Sequence, residues 1–322
     1  MKNENMKNGM TSIDRLIEAI DGTGNPTALG LDTRIEYLPP SLLRSASEEK
    51  SAGSTKEVCD AIRGFNYAMI DALADIVPCV KVQVACYEML GVPGMELFRD
   101  TLVRARQKGM ITIADVKRND IGSTAEAYAA AYLAGETAPF PADFATVNPY
   151  LGTDGVAPFL EACRKHGGGI FVLVRTSNPS AGEFQDLSTE AEKDEKAEND
   201  EKRPLYERVG LQVGRWGEDL TGRQGYSSVG AVVGATWPEE SKKLRTLLPR
   251  TFFLVPGYGA QGATAKDLAG CFDASGRGAV VNASRSLLCA YKKRGTEDFA
   301  SAARDEALRM REDLRGAIRE KQ

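Results

Sequence analysis

Residues 110–128 read MITIADVKRNDIGSTAEAY. The stretch opens on an apolar run, Met110 to Ile113, and closes on a helix-like segment that contains Tyr128. Between the two, Asp115, Lys117 and Asp120 stand close together. Residues two apart on a strand face the same side, so Asp115 and Lys117 are expected to point together. A strand that ends in charges and runs into a helix is one unit of an α/β fold.

The unit recurs along the chain. Besides MITIADVK (110–117), short apolar runs occur at PTALGLD (26–32), VPCVKVQVAC (77–86), DFATVN (143–148) and GIFVLVR (169–175). Three more follow at SVGAVVG (228–234), TFFLVPG (251–257) and GAVVNAS (278–284). Segments such as STKEVCDAIRGFNYAMIDALAD and GMELFRDTLVRARQKG carry helical periodicity between them. Strands and helices in this alternation predict a single (β/α)8 barrel domain over residues 1–322. A doubly wound open sheet is the runner-up. The dinucleotide fingerprint G-x-G-x-x-G is absent after the first strand, where GLDTRIEYLPP stands instead.

Two surface insertions are expected, near 41–58 and 186–204. The first contains the Ser-rich SASEEKSAGSTKE (45–57), the second the mixed-charge run STEAEKDEKAENDEKRP (188–204). Such a charge run is read as a solvated excursion rather than a binding tail.

Composition narrows the function. With 42% hydrophobic residues and 27% charged, the chain of 322 residues can bury a core. A net charge of −4 gives no support to nucleic-acid or anionic-membrane partners. The segment MKNENMKNGM lacks the apolar centre of a signal peptide, and no apolar run is long enough to span a bilayer. The six scattered cysteines, with no C-x-x-C pair, fit reduced thiols in a cytoplasmic protein. His166, the single histidine, precedes glycines and reads as a helix end, which argues against a histidine-based triad or a multi-histidine metal site.

In a barrel, one side-chain parity of each strand faces the lumen, and catalytic groups gather at the C-terminal strand ends. Val80, Val82 and Val84 suit the helix-covered outside, which turns Lys81 and Gln83 inward. Ile113, Asp115 and Lys117 share the inward parity of the third strand, and Asp32 ends the first. A buried ion-pair network that only braces the barrel is the blander account. Packing does not require it, since apolar residues in place of buried ion pairs are often neutral or stabilising. Flanking carboxylates favour a charged lysine, whereas a Schiff-base lysine must be neutral. Lys117 therefore suits a cation that stabilises a carbanion and then protonates it. A charge pair about 4 Å apart at an effective dielectric near 20 is worth about 4 kcal/mol, so substrate positioning must supply the rest of the barrier reduction. Ser123 and Glu126 satisfy the S-x-x-E capping box at the start of the next helix.

The seventh strand ends in VPGYGAQGATAKD (255–267) with Gln261, and the eighth in NASRS (282–286) with Arg285. Loops after strands seven and eight are the usual barrel phosphate site, and a guanidinium clamps phosphate well.

These residues resemble the orotidine 5′-monophosphate decarboxylase family, most of all its longer bacterial subgroup. DVKRNDIGST matches the signature D-x-K-x-x-D-I with a threonine shortly after, and VKVQVACYE, RTSNPSAGEFQ, PGYGAQG and NASRS match in order. The resemblance implies decarboxylation of orotidine monophosphate to UMP in de novo pyrimidine synthesis, without metal or organic cofactor. It implies that Lys117 protonates C6 of the pyrimidine and that Asp115, Lys81 and Asp120 complete the charged array. Asp32 and Thr124 would hold the ribose, Ser177 would read the base, and Gln261 and Arg285 would grip the phosphate. It further implies a homodimer in which Asp120 and Thr124 come from the neighbouring subunit. One departure is Ser284, where many family members carry glycine. Two other readings stay open: a related Mg²⁺-dependent enzyme of sugar-phosphates, which a chelator would inhibit, and a noncatalytic nucleotide-binding barrel.

Overall fold

A computed structural model describes residues 10–44, 54–190, 202–259 and 262–321. Eight parallel strands close into a ring in sequence order. They are β1 (Thr27–Leu31), β2 (Cys79–Gln83), β3 (Ile111–Arg118), β4 (Phe144–Val147), β5 (Gly169–Arg175), β6 (Ser227–Val233), β7 (Thr251–Pro256) and β8 (Ala279–Ala283). Each lies inside one of the apolar runs or within a residue of it. Such runs are nearly continuous because a parallel strand here is buried on both faces. Pairing of β1 with β8 closes the barrel, with Thr27 opposite Val281. The open doubly wound sheet is thereby excluded.

The longer helices are α1 (Ser12–Thr23), α2 (Thr55–Leu73), α3 (Gly91–Gln107), α4 (Gly122–Leu133), α5 (Thr153–His166), α6 (Leu205–Trp216), α7 (Pro238–Leu247) and α8 (Phe299–Lys321). Most of them cover the outside of the ring, where Val80, Val82, Ala114 and Val116 pack against Phe65, Phe98 and Leu102. The lumen has its own core, built from Ala28, Cys79, Ile111, Ile113, Phe144, Phe171, Phe252 and Val280. Ile13, Leu16 and Ile17 of α1 join that second core, so α1 stoppers the N-terminal mouth of the barrel. A capping box between Thr11 and Asp14 starts that helix. The charged side chains Asp32, Lys81, Asp115 and Lys117 gather at the opposite, C-terminal end.

One local expectation needs correction. The S-x-x-E box at Ser123 and Glu126 is not formed, because α4 begins at Gly122 with Ile121 at its N-cap, and Ser123 falls inside the first turn. At the edges of the second insertion, Ser188–Thr189 pairs antiparallel with Arg203–Pro204. The insertion near 41–58 ends in structure too, since Ser54 and Glu57 form the box that opens α2. Residues 45–53 and 191–201 lie outside the described residues. His166 does end α5, with Gly167 left-handed at the cap, but burial and then Lys165 push its pKa down.

Candidate active site

A cavity of about 630 Å³ opens at the C-terminal ends of the strands, within the size range of small-molecule sites. Asp32, Lys81, Asp115, Lys117, Ser177 and Arg285 all line it. Four of these form a chain of alternating charge. Lys81 Nζ lies 3.1 Å from Asp32 Oδ1 and 2.8 Å from Asp115 Oδ2. Lys117 Nζ lies 2.5 Å from the other oxygen of Asp115. Gln83 Nε2 and Thr146 Oγ1 also donate to Asp115, each at 2.9 Å, so both of its oxygens are fully engaged.

Burial decides how the two lysines differ. The Lys81 side chain is 5% exposed, whereas Lys117 is 45% exposed and faces the cavity. Desolvation alone would lower the Lys81 pKa, but Asp115 and then Asp32 reverse it, leaving the ammonium harder to deprotonate than usual. Burial likewise works against the Asp115 carboxylate, and Lys81 and Lys117 overcome it, holding its pKa well below the usual carboxylate range.

Asp115 and Lys117 do meet, but not by flat strand alternation. The β3–β4 register shifts between Ala114 and Arg118, and Lys117 has φ 47°, the one positive φ outside glycine among the described residues. That bulge swings its side chain back toward Asp115.

On the other wall, the loop with Ser177 is fastened at several points. Trp237 Nε1 donates to the Thr176 carbonyl at 2.9 Å, and Gln185 Oε1 accepts from the Thr176 N–H at 3.0 Å. Arg175 is 1% exposed and stacks over Trp237, 4.3 Å from the ring centroid. Its Nη1 makes a charge contact of 2.8 Å with Asp186, without an aligned hydrogen bond, and so ties the two ends of the loop together. Gly234 sits against Ser177 so closely that a Cβ there would lie 2.8 Å from the Ser177 N–H nitrogen.

Ser284, noted above as a departure from the family pattern, donates to Asp32 Oδ2 at 2.9 Å. Gly30 of β1 makes room for it, since a Cβ there would lie 2.0 Å from the Ser284 hydroxyl. Asn282 Oδ1 is buried without a hydrogen-bond partner among the described residues, in the same wall of the cavity.

The remaining predicted residues lie elsewhere. Asp120 is not among the cavity residues; its Oδ1 accepts from the Ile121 N–H at 2.7 Å. Thr124 is exposed on the first turn of α4. Gln261 lies outside the described residues. Sequence reasoning missed Thr146, Asn282, Arg34 and Tyr37 as cavity residues. A threonine inside the apolar run DFATVN was the available signal for the first. Among the described residues no group of three or more histidine, cysteine or acidic side chains is arranged to hold a metal ion. None of the described helices is long and apolar enough to cross a membrane.

Residues 60–296 match the model of the orotidine 5′-phosphate decarboxylase / HUMPS family. The orotidine 5′-phosphate decarboxylase of Rhodopirellula baltica is 43% identical over 95% of this chain and 100% of its own length. That of Clostridium acetobutylicum is 42% identical, over 95% of this chain and 99% of its own. The solved structure of Leishmania donovani OMP decarboxylase superposes with a TM-score of 0.68 at 26% identity, covering 94% of this chain and 99% of that one.

Proposed function

This chain belongs to the orotidine 5′-phosphate decarboxylase / HUMPS family, and from that membership we propose how its cavity works. The activity is decarboxylation of orotidine 5′-phosphate in pyrimidine biosynthesis. The finer reading is a metal-free and cofactor-free reaction in which Lys117 is the proton donor. The observation that carries it is the Asp32–Lys81–Asp115–Lys117 array lining the cavity at the C-terminal mouth of the barrel.

Loss of carbon dioxide leaves an electron pair on C6 of the pyrimidine. An ammonium held beside that carbon stabilises the developing charge and then transfers its proton to it. Lys81 is clamped between two carboxylates and nearly inaccessible, so it cannot deliver that proton. It serves instead to hold Asp32 and Asp115 in place. Lys117 stands in the cavity, pairs among the described residues with Asp115 alone, and can regain a proton from solvent after turnover. Asp32 suits ribose hydroxyls, Ser177 the base edge, and Arg285 with Gln261 the phosphate beyond β7 and β8.

The single-barrel unit works as a homodimer in this reading, with Asp120 and Thr124 reaching the neighbour's cavity. Thr124 is exposed, Asp120 is half-buried, and neither lines the cavity of its own chain, which supports this. So do the exposed Met89, Val92, Ile121, Tyr150 and Leu151, which all follow β2, β3 or β4. Apolar side chains gathered on one rim are what a self-complementary interface needs.

The test is the absorbance change of orotidine monophosphate in excess EDTA. Full turnover is expected. Activity that vanished with chelator and returned with Mg²⁺ would favour the sugar-phosphate relatives instead.

A further inference from the structure

We propose that Thr146 is the positioning residue of the proton donor: its hydroxyl holds the backbone of Lys117 and the carboxylate of Asp115 in one arrangement. The inference rests on the reading of Lys117 as the acid.

The ladder between β3 and β4 is broken. Ala114 pairs with Ala145, and the next aligned pair is Arg118 with Val147. Asp115, Val116 and Lys117 therefore face the single residue Thr146. With the ladder interrupted, the Val116 and Lys117 N–H groups need another acceptor, and an unpaired buried N–H is costly. Thr146 Oγ1 accepts from both, each at 2.8 Å. Its own proton goes to Asp115 Oδ1 at 2.9 Å. A hydroxyl offers one donor and two acceptor sites, and here all three are used.

The same Asp115 oxygen receives Lys117 Nζ at 2.5 Å. One hydroxyl thus ties together both ends of the Lys117 side chain: the strained backbone at its root and the carboxylate at its tip. A left-handed conformation in a lysine persists only where surrounding structure enforces it. Thr146 is 1% exposed and packed on a rigid strand, so the enforcement is firm. Without it, Lys117 is free to relax toward ordinary strand geometry, which turns its ammonium away from Asp115 and from C6.

Substitutions at Thr146 separate this role from simple bracing. Thr146→Val keeps the shape and loses the hydroxyl; Thr146→Ser keeps the hydroxyl. Thr146→Ala serves as a second deletion of the hydroxyl if the valine variant does not fold. The readouts are kcat per UMP-titrated site, KM, and Kd for UMP. For Thr146→Val or Thr146→Ala we expect kcat to fall between about tenfold and a hundredfold, as for a catalytic group displaced by about an ångström, with Kd for UMP within about threefold of wild type. Thr146→Ser is expected to restore most of the turnover. Wild-type kcat in the folded valine or alanine variant would overturn the inference, as would a serine variant no better than they are. Lys117→Ala separates the two levels. If that variant is inactive while Thr146→Val turns over normally, only this inference fails. If Lys117→Ala itself retains turnover, the reading beneath it fails.

Discussion

Replacing Asp115 by leucine leaves Lys81 as a buried cation with half of its compensation. Its side chain is 5% exposed, and only Asp32, at 3.1 Å, remains to neutralise it. Breaking a buried pair by removing one partner costs about 3–5 kcal/mol, a large share of a total stability of about 5–15 kcal/mol. Because Asp32 stays, the lower end, near 3 kcal/mol, is expected for Asp115→Leu. Lys81→Met costs less, since Asp115 keeps Lys117, Gln83 and Thr146 as donors. The informative variant is the double one, Lys81→Met with Asp115→Leu. It removes both buried charges together, and such replacements are often neutral or stabilising. Gln83 and Thr146 each lose an acceptor, about 1 kcal/mol apiece, and cavity water can serve Gln83. Urea unfolding of wild type, both singles and the double should thus show a favourable coupling of about 2–3 kcal/mol. All three variants should be inactive. A double variant as unstable as the sum of the singles would refute the argument that the array serves chemistry rather than the barrel.

Lys117→Ala should abolish most of kcat while UMP still binds, whereas Arg285→Ala should depress kcat/KM strongly through lost remote binding energy; steady-state kinetics with UMP titration separates the two. Mixed Lys117→Ala and Asp120→Ala dimers should regain about a quarter of wild-type activity, because random exchange gives half mixed dimers with one intact site each. No recovery after subunit exchange verified by mass would rule out a shared site. Stability should fall in acid as the depressed Asp115 is forced to protonate: its contribution is present above about pH 4 and lost as pH drops through its lower folded value. Lys81 is raised, so its contribution is present below about pH 10.4 and lost as pH climbs through its higher folded value. Urea midpoints across pH should therefore change less at both extremes in the Lys81→Met, Asp115→Leu double variant than in wild type.

The strands were legible because both faces of each are buried, which writes them as apolar runs. Lys81 and Asp115 then stood out as charges on an inward parity. What the sequence hid depends on register between strands. Nothing in the order of residues 115–117 announces that three of them face one threonine on β4. The misplaced capping box failed for a local reason: α4 already starts at Gly122, with Ile121 at its N-cap, so Ser123 falls inside the first turn. Arg175 looked like the tail of GIFVLVR, and only the fold brings Trp237 and Asp186 to it. Ser284 likewise meets Asp32 across the whole circuit of the ring.

That last hydrogen bond lies on the seam where the ring closes. Ser284 and Asp32 are 252 residues apart, and β1 finds one of its two neighbours only in β8. During synthesis β1 emerges early and then waits, with one edge unpaired, until nearly the whole barrel has followed it. An unpaired apolar strand edge is where a nascent chain sticks to others, and contacts this distant in sequence form slowly. The half of the site that holds Asp32 is therefore completed last. Turnover reports that the final strand has docked, and mutations along the seam should first appear as chains lost before they ever fold.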